Sequence, residues 1–265
     1  MSAASAPTGA SIWTVVEYQV RLARSFWRSI LIVGVATPLL YVLALGVGLG
    51  TVVNRNGTGE LGVPYLVFVA PAFLTAAALQ IGAADASFPL MGGFKWARTF
   101  HGMAATPLSP AQICDGQLTW IAIRLFANSA VYLAIMAMFG AARSPWILLA
   151  VPIATLTGIA FAAPVAAFVA TIEREGNGLN VIFRFVVTPM FLFSGTFYPI
   201  SQLPQWGQWL AWVSPLWHGT ELARDSALGG GLSLLAVLGH LLYLVLWFVV
   251  GLQLARWRFR VRLTK

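Results

Sequence analysis

The chain has 265 residues, 59% of them apolar and only 9% charged, and its 16 Lys and Arg outnumber 8 Asp and Glu to leave a net charge of +8. A water-soluble domain carries about 25% charged residues to cover its surface, so this composition excludes an ordinary soluble globule. Hydrophobicity spread evenly along each run also excludes a transmembrane barrel, whose strands alternate over segments of about ten residues.

In chain order, residues 1–10 read as a disordered leader. No cleavable signal is expected, because residues 1–20 hold no Lys or Arg and the first apolar run is too long for a signal core. Across residues 11–28, Trp13, Val16, Val20, Ala23 and Trp27 recur at spacings of three and four, and Glu17, Arg21, Arg24 and Arg28 follow the same period. That pattern predicts an amphipathic helix lying in the membrane interface; the competing reading is an extension of the first spanning helix.

Residues 29–265 form one membrane domain. Crossing roughly 30 Å of hydrocarbon takes about 20 mainly apolar residues. Six runs are read as spanning helices: Ile30–Thr51, Tyr65–Ala84, Ile113–Gly140, Trp146–Ala170, Val181–Tyr198 and Leu232–Ala255. The fifth is short, carries Arg184 near its start and is expected to kink at Pro189. The fold class is therefore an all-α integral membrane protein with an N-terminal interfacial helix and six transmembrane helices.

Basic residues set the expected orientation, since Lys and Arg are retained on the cytoplasmic side. With the N-terminus inside, Arg21, Arg24, Arg28, Lys95, Arg98, Arg174, Arg256, Arg258, Arg260, Arg262 and Lys265 are cytoplasmic. The outer loops, near 52–63, 141–145 and 199–231, hold only Arg55, Arg143 and Arg224. Both termini are then cytoplasmic in a multi-pass cell-membrane protein. The tail 256–265 alternates basic and apolar residues and is expected to meet anionic headgroups, which explains the net charge without nucleic acid.

Two loops stand out. The cytoplasmic loop 85–112 reads as a short amphipathic helix from Phe94 to Ala105, ended by Thr106-Pro107. A capping box follows, with Ser109 as N-cap, Pro110 at the first turn and Gln112 at the third position. The residues alone allow either a docking helix for a cytoplasmic partner or a helix resting on headgroups. On the outer side, Trp206, Trp209, Trp212 and Trp217 crowd into one stretch that Pro199, Pro204 and Pro215 break into short pieces. A re-entrant or interfacial hairpin over the outer mouth follows from that crowding; a plain aromatic belt is the alternative.

The sequence lacks the elements of an energy source. A P-loop needs Gly-Lys followed by Ser or Thr, yet Lys95 follows Phe94 and Lys265 follows Thr264. His101, His218, His240 and the single cysteine, Cys114, are scattered, so no metal, cofactor or catalytic residue is expected. Glu17, Glu60, Asp85, Asp115, Glu173, Glu175, Glu221 and Asp225 are placed at helix ends or loops, which argues against a stand-alone channel or secondary carrier, the competing class. Arg124 and Arg184 fall inside spans, where each either contacts an anionic substrate or pairs and snorkels.

The stretch Phe94-Lys95-Trp96-Ala97-Arg98-Thr99-Phe100-His101-Gly102-Met103, with Ala105-Thr106-Pro107-Leu108-Ser109, resembles the cytoplasmic loop of ABC-2 type permeases, in particular the nodulation-factor lipooligosaccharide exporters. Phe191 to Arg224, with Ser-Gly, Leu-Pro and Pro-Leu-x-His, is similar to that family's C-terminal signature. The resemblance implies an exporter subunit with no ATPase of its own: two permeases, identical or paralogous, pair with two copies of a separate ABC ATPase that uses ATP and Mg. It implies a coupling helix carrying Phe94, Lys95, Trp96, Arg98, Phe100, His101 and Met103, with the aromatic residues as docking anchors. It also implies an outer gate at Trp206, Trp209, Trp212, Trp217 and Glu221. Arg124, Arg184, Phe191 and Phe193 are candidates for a path taken by a lipid-linked, glycolipid or drug-like substrate.

Overall fold

The computed structural model describes residues 8–54, 62–173 and 178–264. Arg55, Glu60, Arg174, Glu175, Lys265 and all but the last three residues of the expected leader lie outside them. Every regular element among the described residues is helical.

Helix α1 runs Thr8–Ser25 and α2 Trp27–Tyr41, parted at Phe26, where the backbone leaves helical geometry (φ −118°, ψ 16°). The amphipathic start is thus a separate helix, begun at Thr8 within the segment expected to be disordered. The chain continues as a π-helical stretch, Val42–Leu49, and α3, Gly50–Val53. Next come α4 (Tyr65–Asp85), α5 (Phe88–Met91), α6 (Thr99–Ala104) and α7 (Pro110–Met138). They are followed by α8 (Ala150–Val169), α9 (Gly178–Ile182) and α10 (Thr188–Phe193), then α11 (Gln205–Val213), α12 (Pro215–Leu228) and α13 (Leu234–Leu263).

Among the described residues, four helices are long and apolar enough to cross a membrane: Tyr65–Trp96, Pro110–Met138, Pro145–Val169 and Leu234–Leu263. The first and fifth expected spans are represented by shorter apolar segments, Gly34–Ala44 and Gly178–Phe193. In the fifth, a π-helical turn at Phe183–Val187 precedes Pro189, and Thr188 Oγ1 donates to the Phe183 carbonyl at 2.8 Å. The same carbonyl also accepts the Thr188 N–H, so amide and hydroxyl together close the π-helical turn just ahead of the proline.

Burial separates centre from edge. In α4, 78% of the apolar window is buried, against 11% in α13, so α4 is the axis of the bundle and α13 a flank. The α4–α8 contact is backbone to backbone: a Cβ on Gly82 would sit 2.6 Å from the Gly158 carbonyl oxygen, and one on Gly158 2.7 Å from that of Ala78. Small residues at a crossing admit such approach, which favours packing where lipid supplies no hydrophobic drive.

α1 lies against the first turns of α7 through buried Val15 and Val16, and Gln19 Nε2 donates to Gln117 Oε1 at 3.0 Å. Part of the apolar stripe on α1 thus faces protein rather than lipid, while Trp13 and Trp27 remain exposed. α1, the turn after α4 and the C-terminal end of α13 gather at one end of the bundle.

Candidate functional site

That end carries the segment singled out from sequence. Instead of one amphipathic helix, Gly92–Trp96 forms a π-helical turn, Arg98 adopts left-handed geometry (φ 51°) and α6 begins at Thr99. A non-glycine residue there costs on the order of 1–2 kcal/mol, so the surroundings must hold it. Phe94 and Phe100 do so from within: both are 2% exposed, their centroids lie 4.8 Å apart, and Phe259 of α13 is 4.7 Å from Phe94. A Cβ on Gly93 would meet the Phe100 ring at 2.5 Å, so the fold-back requires glycine. The Arg262 guanidinium covers Phe94 at 4.2 Å and donates at 2.9 Å to the Val169 carbonyl at the end of α8, which also accepts the Ile172 N–H.

This arrangement corrects the expectation that Phe94 and Phe100 serve as docking anchors, since the chain's own core takes both rings. Trp96, Arg98 and His101 are exposed at the tip, while Lys95 and Met103 are half-buried. The expected capping box forms: Gln112 N donates to Ser109 Oγ at 3.3 Å and Ser109 N to Gln112 Oε1 at 2.8 Å. The basic tail continues α13 as helix to Leu263, and Arg256 holds Asp115 through two hydrogen bonds of 2.7 and 2.8 Å.

At the opposite end α11 and α12 form a helical hairpin inserted into the bundle. Tyr243 Oη donates to the Val213 carbonyl at 2.5 Å, and Tyr243 lies about 14 Å along α13. The Thr220 and Thr75 hydroxyls meet at 3.1 Å, about 15 Å along α4. The turn between α11 and α12 thus reaches deep, where Ser214 caps α12 by accepting from Leu216 N at 3.2 Å and shares a 2.6 Å hydrogen bond with the Ser194 hydroxyl. Trp206, Trp209 and Trp212 are exposed on α11. Trp217 is half-buried against the rings of His218 and His240, whose Nδ1 atoms lie 2.7 Å apart.

Arg224 fixes the hairpin's return. Fully buried, it donates to the carbonyls of Phe68 at 3.1 Å, Gly195 and Thr196, pairs with Glu221 at 3.3 Å and stacks over Phe68 at 3.8 Å. Glu221 and Arg224 line a cavity of about 380 Å³ with Phe68 and Asp225. Reading Arg224 as a loop charge missed this role; the signal was a basic residue in a segment otherwise dominated by Trp, Leu and Pro.

The four candidates for a substrate path are dispersed. Phe191 belongs to an aromatic cluster with Tyr41, Phe73 and Phe197, at centroid distances of 5.1–6.5 Å. Phe193 lies 6.2 Å from Trp206. Arg184 is exposed on the π-helical turn. Arg124 pairs with Asp85 at 2.8 Å, and Asp85, although at the end of α4, is only 13% exposed in its side chain. Asp85 and Glu221 were expected merely at helix ends or loops; Asp85 ties α4 to α7 through Arg124, and Glu221 pairs with Arg224 one turn away on α12.

The profile of the ABC-2 type transporter family matches residues 10–228. Nodulation protein J of Rhizobium leguminosarum bv. viciae is 29% identical over 97% of this chain and 99% of its own length. Nodulation protein J of Bradyrhizobium diazoefficiens is 30% identical over 95% of each chain, and that of Sinorhizobium fredii 31% over 75% of each. The helical bundle, the folded loop after α4 and the tryptophan-rich hairpin all fall within these matches, and the chain belongs to the ABC-2 type transporter family.

Proposed function

We propose that the chain is the permease subunit of an ABC exporter, and that the Trp96–Arg98–His101 tip receives the force of ATP hydrolysis from a separate ATPase. The observation that carries this reading is the mounting of the tip. A left-handed kink at Arg98 is fixed by Phe94, Phe100, Phe259 and Arg262, which connect it to α8 and α13. A displacement of the tip is then transmitted to packed helices rather than absorbed by a loop, because close-packed cores shift between discrete arrangements.

Two permeases, identical or paralogous, pair with two ATPase copies, which bind the ATP and Mg. Both termini face the cytoplasm of the cell membrane, the side that holds most of the basic residues. The cargo is a lipid-linked, glycolipid or other amphipathic molecule; the relatives' name, nodulation protein J, and the resemblance to lipooligosaccharide exporters support that class. Family scaffold alone does not specify a cargo.

The purified chain is expected to hydrolyse no ATP, and the chain tagged in its native membrane to bring down a P-loop ATPase whose turnover it supports. ATP hydrolysis by the chain alone, or transport by the chain alone down an ion gradient, would overturn the reading in favour of a self-sufficient carrier.

A further inference from the structure

We propose that the cleft around Arg124 holds an anionic phospholipid with a hydroxyl-bearing headgroup, drawn from the leaflet at the α1 end of the bundle. Three cavities meet at this one side chain, of about 450, 260 and 130 Å³. The largest opens between α1, α2 and α7. Arg24 and Trp27 stand at its mouth, and Val35, Ile123 and Ala127 form an apolar wall suited to an acyl chain. The second joins Arg124 to Asp85, Gln117 and Trp120.

The polar groups of that second cavity are incompletely used. Arg124 gives Nη1 to Asp85 Oδ1, yet Arg124 Nε, Gln117 Nε2 and Asp85 Oδ2 are buried without a hydrogen-bond partner. Buried donors and acceptors are normally satisfied, so unpaired ones call for an explanation. Two unpaired donors, the guanidinium's own Nε and the neighbouring Gln117 Nε2, require an acceptor with several oxygens, which a phosphodiester provides. The unpaired carboxylate oxygen requires a hydroxyl donor, which a glycerol headgroup provides. Arg24 and Arg124 outweigh Asp85 in charge, which favours an anion over a zwitterion. The site goes beyond the transport reading, since it requires neither ATPase nor cargo.

The full-length chain, purified and stripped of lipid, is to be titrated with phosphatidylglycerol, phosphatidylcholine and phosphatidylmethanol and followed by native mass spectrometry. One phosphatidylglycerol per chain is expected, held about tenfold or more tighter than phosphatidylcholine, and tighter than phosphatidylmethanol, which lacks the hydroxyls. Arg24→Glu and the cavity-filling Ala127→Trp should each lower phosphatidylglycerol affinity about tenfold. Both positions are exposed, and Arg24→Glu decides the outcome if Ala127→Trp fails to fold. Equal retention of phosphatidylcholine, or wild-type retention by Arg24→Glu, would overturn the site. Displacement of phosphatidylglycerol by dodecyl maltoside at equal affinity would also overturn it and make the cleft an entry for neutral sugar amphiphiles.

Discussion

The guanidinium of Arg256 grips the Asp115 carboxylate with both partners engaged, Nε to Oδ1 at 2.7 Å and Nη2 to Oδ2 at 2.8 Å, and so fastens the end of α13 to the first turns of α7. Its two side chains are 35% and 16% exposed, so solvent screens the pair in part. Arg256→Ala should lower unfolding free energy by about 1 kcal/mol, and Arg256→Lys should not restore it, because an ammonium cannot match the bidentate fork. A double-mutant cycle with Asp115→Ala, read by thermal unfolding in detergent, checks this. Strict additivity of the two losses would show that the pair contributes nothing.

Arg224 is the stronger case, since it is buried and supplies donors to three carbonyls and to Glu221. Arg224→Met would strand those acceptors, and the expected loss is about 3–5 kcal/mol. Arg224→Lys should recover only part of it. Wild-type thermal stability in either variant would refute the assignment of Arg224 as the lock on the α11–α12 hairpin.

The α4–α8 crossing leaves no room for a methyl group at Gly158. Gly158→Ala should destabilise by about 1–3 kcal/mol through overpacking. Gly102 in α6 has nothing within 4 Å of its added Cβ, so Gly102→Ala serves as the matched control and should cause no loss. Equal stability of the two variants would contradict the backbone contact.

These contacts show what a sequence can and cannot disclose. The all-helical bundle was legible because apolar runs of spanning length admit few alternatives, and the Ser109–Gln112 cap because its hydrogen bonds are local in sequence. The hairpin's breaks were marked by Pro204 and Pro215. What stayed hidden depends on partners distant in the chain. Asp85 finds Arg124, Asp115 finds Arg256, and Arg224 finds Phe68, pairings that no periodicity encodes. The same holds for Phe94 and Phe100. An amphipathic pattern with aromatic residues reads identically whether its apolar face meets a partner or, as here, Phe259 of the same chain.

Orientation has its own test. Cys114 is fully buried, so the native thiol should resist labelling, and Cys114→Ala supplies a silent background. Single cysteines at 98 and 260 should be shielded from a membrane-impermeant maleimide in intact cells, and one at 143 should react. All three positions are exposed in the fold, so strong labelling at 98 or 260 in unbroken cells would invert the proposed topology.

The coupling role of the tip is tested most directly by pulling the tagged chain from its native membrane with its ATPase, comparing wild type with Trp96→Ala and Arg98→Glu. Trp96 is 60% exposed and Arg98 is exposed, so neither change removes core packing. Interface energy concentrates in a few aromatic and Arg side chains, and each variant should weaken ATPase association by about 1–4 kcal/mol. Membrane insertion and thermal stability should remain at wild-type levels. A four-chain complex recovered from both variants in wild-type yield, with wild-type ATP turnover, would contradict the claim that this tip is where the ATPase drives the permease.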